Sequence, residues 1–398
     1  MYKNNIMKIL IIELCNYIDY PIGGHLSFAR NMLKSFRDDL AVVRISTDKA
    51  EKNLVGQWNK TEISGIKIDS FLLAIKKKIS AKPIIPERLS SYFLILKWRR
   101  KIFENKKFDL VFIQTPEVLF ALPHSILRKV CLRLPGVENP LKFSRYRVAR
   151  YFSKVFGIIL YSHLKNLKLI LTTANRESIN EFIKGSNGKV LPENVVQFPT
   201  RYNEKYFHPC EHKDSLRTEL NLPLNACIFV TVGRLAQFKG IEFLLESFSK
   251  VKEQNKLFLI IGDGEYRGEI ESYISNHEIK NVVLLGQLTP DKIGLYFGAA
   301  DVFVMGSYIE GWSTALVEAV ATALPAVVTD FSSAENMVDD GINGYVVKSR
   351  NSDEFAEKML LAKKIDRQIL SNYSNNIADL SVGKLRESLI QVFAKYFE

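Results

Sequence analysis

The 398-residue chain predicts a two-domain α/β fold, each domain a doubly wound parallel sheet. Three observations carry this. Short apolar runs alternate with longer segments of helical periodicity along most of the chain, the pattern of strands joined by crossover helices. The alternation pauses over residues 199–226, where Pro199, Pro209 and Pro223 interrupt it, and then restarts. Charge divides at the same place: residues 1–200 hold 34 Lys and Arg against 16 Asp and Glu, whereas residues 201–398 hold 21 against 27. A chain of this length also exceeds what one hydrophobic core accommodates.

The elements follow in order. KILIIELC (8–15) reads as the first strand, followed by a loop ending in Gly23-Gly24 and a helix from His25 to about Arg37. LAVVRIST (40–47) and IKIDSFLL (66–73) are strands, and Arg88 to Glu104 is a basic helix. DLVFIQT (109–115), VCLRLPG (130–136), LKLILTT (167–173) and 195–198 are further strands, with helices over about 143–165 and up to Lys184. After the proline-rich interval, strands are expected at 227–233, 257–262, 282–286, 302–306 and 326–330. Helices fill 240–254, 265–278, 290–299, 313–324 and 352–364, and Leu385–Phe397 is a closing amphipathic helix. The domains are read as 1–205, joined by the helix 384–398, and 206–383.

Composition excludes several classes. Apolar content of 47% and charged content of 25% are those of an ordinary globular chain, and no run approaches the ~18 apolar residues of a membrane span. The N-terminus reads as a strand and not as a signal peptide, so a cytoplasmic location is expected. Cys15, Cys131, Cys210 and Cys227 are too scattered for zinc or a disulfide framework. The net charge of +12 suggests polyanion binding, but no helix-turn-helix, zinc knuckle or RNP-like strand accompanies it, so nucleic acid is not expected. The basic segments Arg88–Lys101 and Arg145–Lys168 suit peripheral contact with anionic lipid at the inner face of a membrane.

Polar and glycine positions gather where strands end, which is where open α/β sheets bind ligands. Gly23-Gly24 suit close backbone approach to a phosphate. In VGRLAQFKG (232–240), Arg234 and Lys239 supply a planar fork and a point charge for a diphosphate. Gly262 and Gly264 in IGDGEYR occupy another strand end, and the main chain near Gln287 and Leu288 is placed to meet a base edge. The strongest stretch is EGWSTALVEAVATALPAVVTD (310–330). Here Ser313 or Thr314 caps a helix whose N-terminus is an anion site. Glu310 precedes that helix and Glu318 lies in its second turn. Eight residues of helix rise roughly 12 Å, which is wide for a hydrolytic carboxylate pair. The two acids are therefore expected to hold two parts of one long ligand, such as a ribose and a hexose.

Taken in order, VGRLAQFKG, LFLIIGDGEYR, VVLLGQL, ADVFVMGS, EGWSTALVEAVATALPAVVTD and DDGINGYVV resemble the retaining GT-B glycosyltransferases of family 4. QFPTRYNEKYFHP (197–209) resembles that family's entry into its second domain. The resemblance implies two Rossmann-like domains facing across a cleft, and transfer of a hexose from a UDP- or GDP-type nucleoside diphosphate sugar with retention. The acceptor would be a glycan or lipid-linked molecule of cell-surface polysaccharide synthesis, such as lipopolysaccharide or capsule, and neither metal nor cofactor is implied. Arg234 and Lys239 match the diphosphate pair, Glu310 the acid against the donor sugar, and Glu318 the ribose ligand. Gly311, Trp312, Ser313, Thr314, Ala315 and Leu316 match the loop and helix start that hold sugar and phosphates. The family's N-terminal His is replaced by Pro135, which leaves His25, Arg133 and Glu138 as alternatives for an acceptor-side group. A nucleotide-sugar epimerase of the same fold is the alternative activity.

Overall fold

A computed structural model of the chain describes residues 7–21, 24–78, 86–137, 139, 141 and 151–397. The chain divides into two compact units. One runs to Phe198 and takes in the segment from Leu385 onwards; the other is Pro199–Lys384. The expected helix over 143–165 therefore lies partly outside the described residues, as do Gly23 and Glu138.

The first unit is built from β1 (Ile9–Ile12), α1 (Gly24–Phe36), β2 (Leu40–Ser46), β3 (Trp58–Ile63), β4 (Ile66–Ile75), α2 (Glu87–Phe103), β5 (Leu110–Ile113), β6 (Val130–Leu134), α3 (Ser153–Leu164), β7 (Leu169–Thr172), α4 (Arg176–Gly185) and β8 (Val195–Gln197). Its sheet runs β3-β4-β2-β1-β5-β6-β7-β8, parallel except for the antiparallel β3–β4 pair. β1, β2 and β5 to β7 are wholly or almost wholly apolar because helices cover both faces of a parallel sheet. β3 escaped the sequence reading, since WNKTEI carries too few apolar residues. Its turn joins it to β4 through Ser64 and Gly65, which both adopt positive φ (52° and 79°), as a two-residue type I′ hairpin requires.

The second unit contains α5 (Lys213–Glu219), β9 (Cys227–Val232), α6 (Ile241–Lys250), β10 (Lys256–Ile261), α7 (Arg267–Asn276), β11 (Val282–Gly286), α8 (Pro290–Ala299), β12 (Val302–Met305), α9 (Thr314–Ala321), β13 (Ala326–Thr329), β14 (Gly344–Val347), α10 (Ser352–Ala362) and α11 (Arg367–Asn376). Its all-parallel sheet runs β11-β10-β9-β12-β13-β14. The chain then returns as α12 (Leu385–Phe397), which buries Leu385, Leu389 and Phe393 in the first unit's core beside Phe28 and Met32. Arg386 pairs with Asp39 there.

One helix end departs from expectation. A helix over 313–324 becomes α9, ending at Ala321, because Ala323 turns left-handed at φ 55°. The Leu324 N–H then reaches back to the Ala319 carbonyl at 3.1 Å, the closing bond of a Schellman turn. Alanine carries a Cβ penalty in that conformation which glycine does not. Ala323→Gly is therefore expected to stabilise the protein by about 0.5–1 kcal/mol. A melting temperature raised by roughly 1–4 °C would show it, and an unchanged or lowered value would count against the strain.

Candidate active site

In each sheet, successive strands are added first on one side and then on the other, and the crevice at that reversal is where open α/β folds bind ligands. In the second unit the reversal lies between β9 and β12, which are neighbours. The loop after β9 carries Arg234 and Lys239, and the loop after β12 carries Ser307 and Glu310. Strand adjacency alone thus brings Lys239 to Glu310. Their side chains form a largely buried ion pair, and the Ser307 hydroxyl donates to the same Glu310 oxygen at 3.1 Å.

Arg234 goes elsewhere. Its Nε and Nη2 donate to Glu265 Oε2 at 3.0 and 2.8 Å on the open surface. The two cations read as a diphosphate pair are each held by a different carboxylate.

Three strand-end loops are zipped together by their backbones. Gly233 N–H donates to Ile261 O at 3.0 Å, Leu235 N–H to Asp263 O at 3.0 Å and Gly262 N–H to Gly286 O at 2.8 Å. A Cβ on Gly262 would sit 1.8 Å from the Gly233 carbonyl oxygen, and one on Gly264 would sit 2.2 Å from that of Leu235. Both glycines are thus required by loop-against-loop packing, a role the sequence does not separate from phosphate approach. Gln287 is exposed just past β11, while Leu288 packs against the core cluster beneath α9.

The start of α9 is firmly built. Ser313 is the cap, with Oγ accepting from the Leu316 N–H at 3.2 Å, and Thr314 is the exposed first helical residue. Gly311 is exposed, and Ala315 and Leu316 face inward. Trp312 packs on the same core, and its indole N–H is buried with no hydrogen-bond partner. Glu318, one turn further on, keeps partial solvent contact, yet desolvation pushes its carboxyl up to about 8.

Arg350 is a residue the sequence reading missed. It follows β14 and donates to the carbonyls of Gly306 at 2.7 Å and Ser307 at 2.5 Å, while its guanidinium lies 3.6 Å over the Tyr308 ring. It pins the loop that delivers Glu310. Nothing in a lone arginine forty residues downstream signals this contact. Beside this loop is a cavity of about 310 Å³ lined by Phe238, Glu242, Tyr266 and Tyr308. A larger one, about 610 Å³, opens at the opposite edge of the sheet near Asp301 and Pro325, which precede β12 and β13. There Asp301 is saturated by Lys213, Arg217 and the Ile228 N–H. Location favours the smaller cavity as the one relevant to the strand-end chemistry.

In the first unit the reversal lies between β1 and β5. His25 sits half-exposed in the first turn of α1, its Nδ1 3.7 Å from Glu13 Oε1. Arg133, expected as a ligand-facing candidate, is instead buried in β6. Its Nη1 donates to Gln114 Oε1 at 2.9 Å, its guanidinium lies 4.1 Å over Phe28, and burial lowers it to about 10. It supports Gln114 from behind and does not present itself to solvent. Glu13, Gln114, Thr115 and Glu117 are the polar groups the sequence reading passed over at these strand ends.

Comparison with known proteins bears on the fold. Residues 212–378 match the family described as glycosyl transferases group 1. That match lies within the second unit. An alpha-monoglucosyldiacylglycerol synthase of Acholeplasma laidlawii is 26% identical over 79% of this chain and 81% of its own length. An Escherichia coli UDP-Gal:alpha-D-GlcNAc-diphosphoundecaprenol alpha-1,3-galactosyltransferase is 28% identical over 47% of this chain and 49% of its own. Among solved structures, sucrose-phosphate synthase from Thermosynechococcus elongatus superposes with a TM-score of 0.74 at 17% identity, over 98% of this chain and 99% of that one. Anabaena HepE in complex with UDP and glucose gives 0.70 at 19% identity, over 98% and 99%. The two structural likenesses extend over both units of this chain and show the GT-B fold.

Proposed function

We propose that this glycosyltransferase moves a hexose from a UDP- or GDP-type nucleoside diphosphate sugar, with retention, to a glycan or lipid-linked acceptor of cell-surface glycolipid or polysaccharide synthesis. The observation that carries the reading is the meeting of Lys239, Glu310 and the capped start of α9 at one strand reversal. A diphosphate there would be neutralised by Lys239, by the first-turn N–H groups of α9, and by Arg234 exchanged from its exposed pair with Glu265. Such neutralisation stabilises the charge that develops on a departing nucleoside diphosphate. Glu310 would hold the sugar and Glu318 the ribose. The reaction we propose needs no metal. The acceptor class is supported by relatives whose names specify a glucosyldiacylglycerol product and a diphosphoundecaprenol-linked acceptor.

Calorimetry against UDP-, GDP-, ADP- and dTDP-sugars with a chelator present tests the donor. Saturable binding to a UDP- or GDP-sugar is expected, and its absence, or a strict metal requirement, would overturn the reading.

The proposal extends to the membrane. No helix among the described residues is long and apolar enough to cross one. However, α3 and the residues before it expose Tyr151, Phe152, Val155 and Ile158 along one face, and α2 exposes Leu89 and Phe93 in a strongly basic sequence. Apolar residues flanked by cations suit an anionic interface. Trp98, within the first basic segment, faces inward: its indole donates to Leu73 O at 3.1 Å. Residues 145–150 of the second basic segment lie outside the described residues. Sedimentation with phosphatidylglycerol vesicles is expected, and its loss in Phe93→Asp/Ile158→Asp; equal partitioning onto neutral phosphatidylcholine would argue against the surface.

A further inference from the structure

The polar cluster at the strand reversal of the first unit is built from residues that no sequence motif marks. Glu13 follows β1, Gln114 and Thr115 follow β5, and Arg133 comes from β6. Glu13 is 6% exposed, so its carboxylate has little water. Yet its donors all stand far off: Gln114 Nε2 at 3.3 Å, Thr115 Oγ1 at 3.5 Å and His25 Nδ1 at 3.7 Å. A charge-assisted hydrogen bond to a carboxylate normally measures about 2.5–2.9 Å. Glu13 is therefore under-donated.

Glu117 repeats the pattern two residues past Thr115. It is 7% exposed, its Oε2 has no partner, and Arg88 stands 3.7 Å from its other oxygen. Burial raises its carboxyl, with Arg88 and the nearby His25 opposing. Two buried carboxylates lacking short donors are costly unless something supplies them. The framework around them is in contrast rigid: Arg133 holds Gln114, whose amide in turn donates to the His25 carbonyl at 3.0 Å. Next to His25, a Cβ built on Gly24 meets nothing within 4 Å, so the backbone at the start of α1 is open to a ligand.

We propose that Glu13 and Glu117 form a binding site for the hydroxyls of a neutral sugar or polyol. The inference rests on the glycosyltransferase reading for its biological sense, where such a site would hold the acceptor. Hydroxyls are the matching chemistry because they donate short hydrogen bonds to carboxylates without bringing charge. Thr115 and His25 frame the site, and Arg133 acts as a positioning residue through Gln114.

The test uses methyl α-D-glucopyranoside at on the order of 10 mM as the probe, observed by saturation-transfer NMR on the full chain, with glucosamine and inorganic phosphate as competitors. Transfer to the neutral glycoside is expected, weakened about tenfold in affinity by Glu13→Gln and by Glu117→Gln. His25→Gln, at the exposed rim, serves where a buried variant does not fold. Stabilisation by UDP should be the same in wild type and variants. Equal transfer in all proteins, no transfer to a wild type that UDP still stabilises, or stronger displacement by phosphate or glucosamine would overturn the proposal. Loss of UDP binding with glycoside transfer intact would overturn the donor reading and leave this one standing.

Discussion

Glu318→Gln should raise the melting temperature at pH 9 while weakening nucleotide binding. The wild-type carboxyl titrates near 8 in the folded chain, because desolvation disfavours its charged form. In the unfolded chain it titrates near ~4.3. Between those values the folded state binds the extra proton, so this group's contribution to stability falls as pH rises and is fully lost above about 8. Glutamine has no charge to bury. The variant's advantage should be near zero at pH 4 and reach about 1–3 kcal/mol at pH 9, discounting for the partial solvent contact of the side chain. Ribose hydroxyls donating to Glu318 would favour the carboxylate, so donor binding at neutral pH should release a proton. Calorimetry in buffers of different ionisation enthalpy should show that release in wild type and not in the variant, whose affinity should drop at least about tenfold. A melting difference independent of pH would refute the desolvated state of Glu318; unchanged affinity would remove it from the ribose site.

Lys239→Ala is expected to lower transfer at least about tenfold and to destabilise the fold as well. Both effects come from one contact. Lys239 and Glu310 are each mostly buried, and without the lysine Glu310 keeps, among the described residues, the Ser307 hydroxyl. Leaving one partner of a buried pair alone costs roughly 3 kcal/mol. The double variant Lys239→Met/Glu310→Gln separates the two effects. It should recover most of the stability, since no charge is left unpaired, and none of the transfer. Denaturant unfolding and initial rates measured on the same proteins decide this. Recovery of turnover along with stability would make the pair structural, and near wild-type turnover in Lys239→Ala would remove it from the site.

Much of this was legible from residue order. The β–α alternation and the break in charge near residue 200 pointed to two doubly wound units, because parallel sheets covered on both faces demand apolar strands. The ordered motifs from Val232 to Asp330 pointed to a strand-end site, because ligand groups in this fold class follow strands. A cap at Ser313 or Thr314 was readable, since a hydroxyl there reaches the N–H groups of the first turn, and the structure assigns it to Ser313. What was missed shares one cause. β3 has no apolar alternation of its own and is held by pairing with β4. Arg350 reaches backbone carbonyls more than forty residues earlier, and Glu13 meets Gln114 across 101 positions.

The sequence by itself determined the class of fold, the positions of the strand-end loops and the residue types available for chemistry there, since all of these are set by local periodicity and turn chemistry. The tertiary structure alone decided which of them touch. Sheet order placed β9 beside β12, and so Lys239 against Glu310 and not beside Arg234. It placed β1 beside β5 and β6 near them, and so Arg133 behind Gln114 and away from solvent. Burial, which no linear pattern measures, then separated two acids of one motif: Glu310 is paired, and Glu318 is left to hold its proton to about 8.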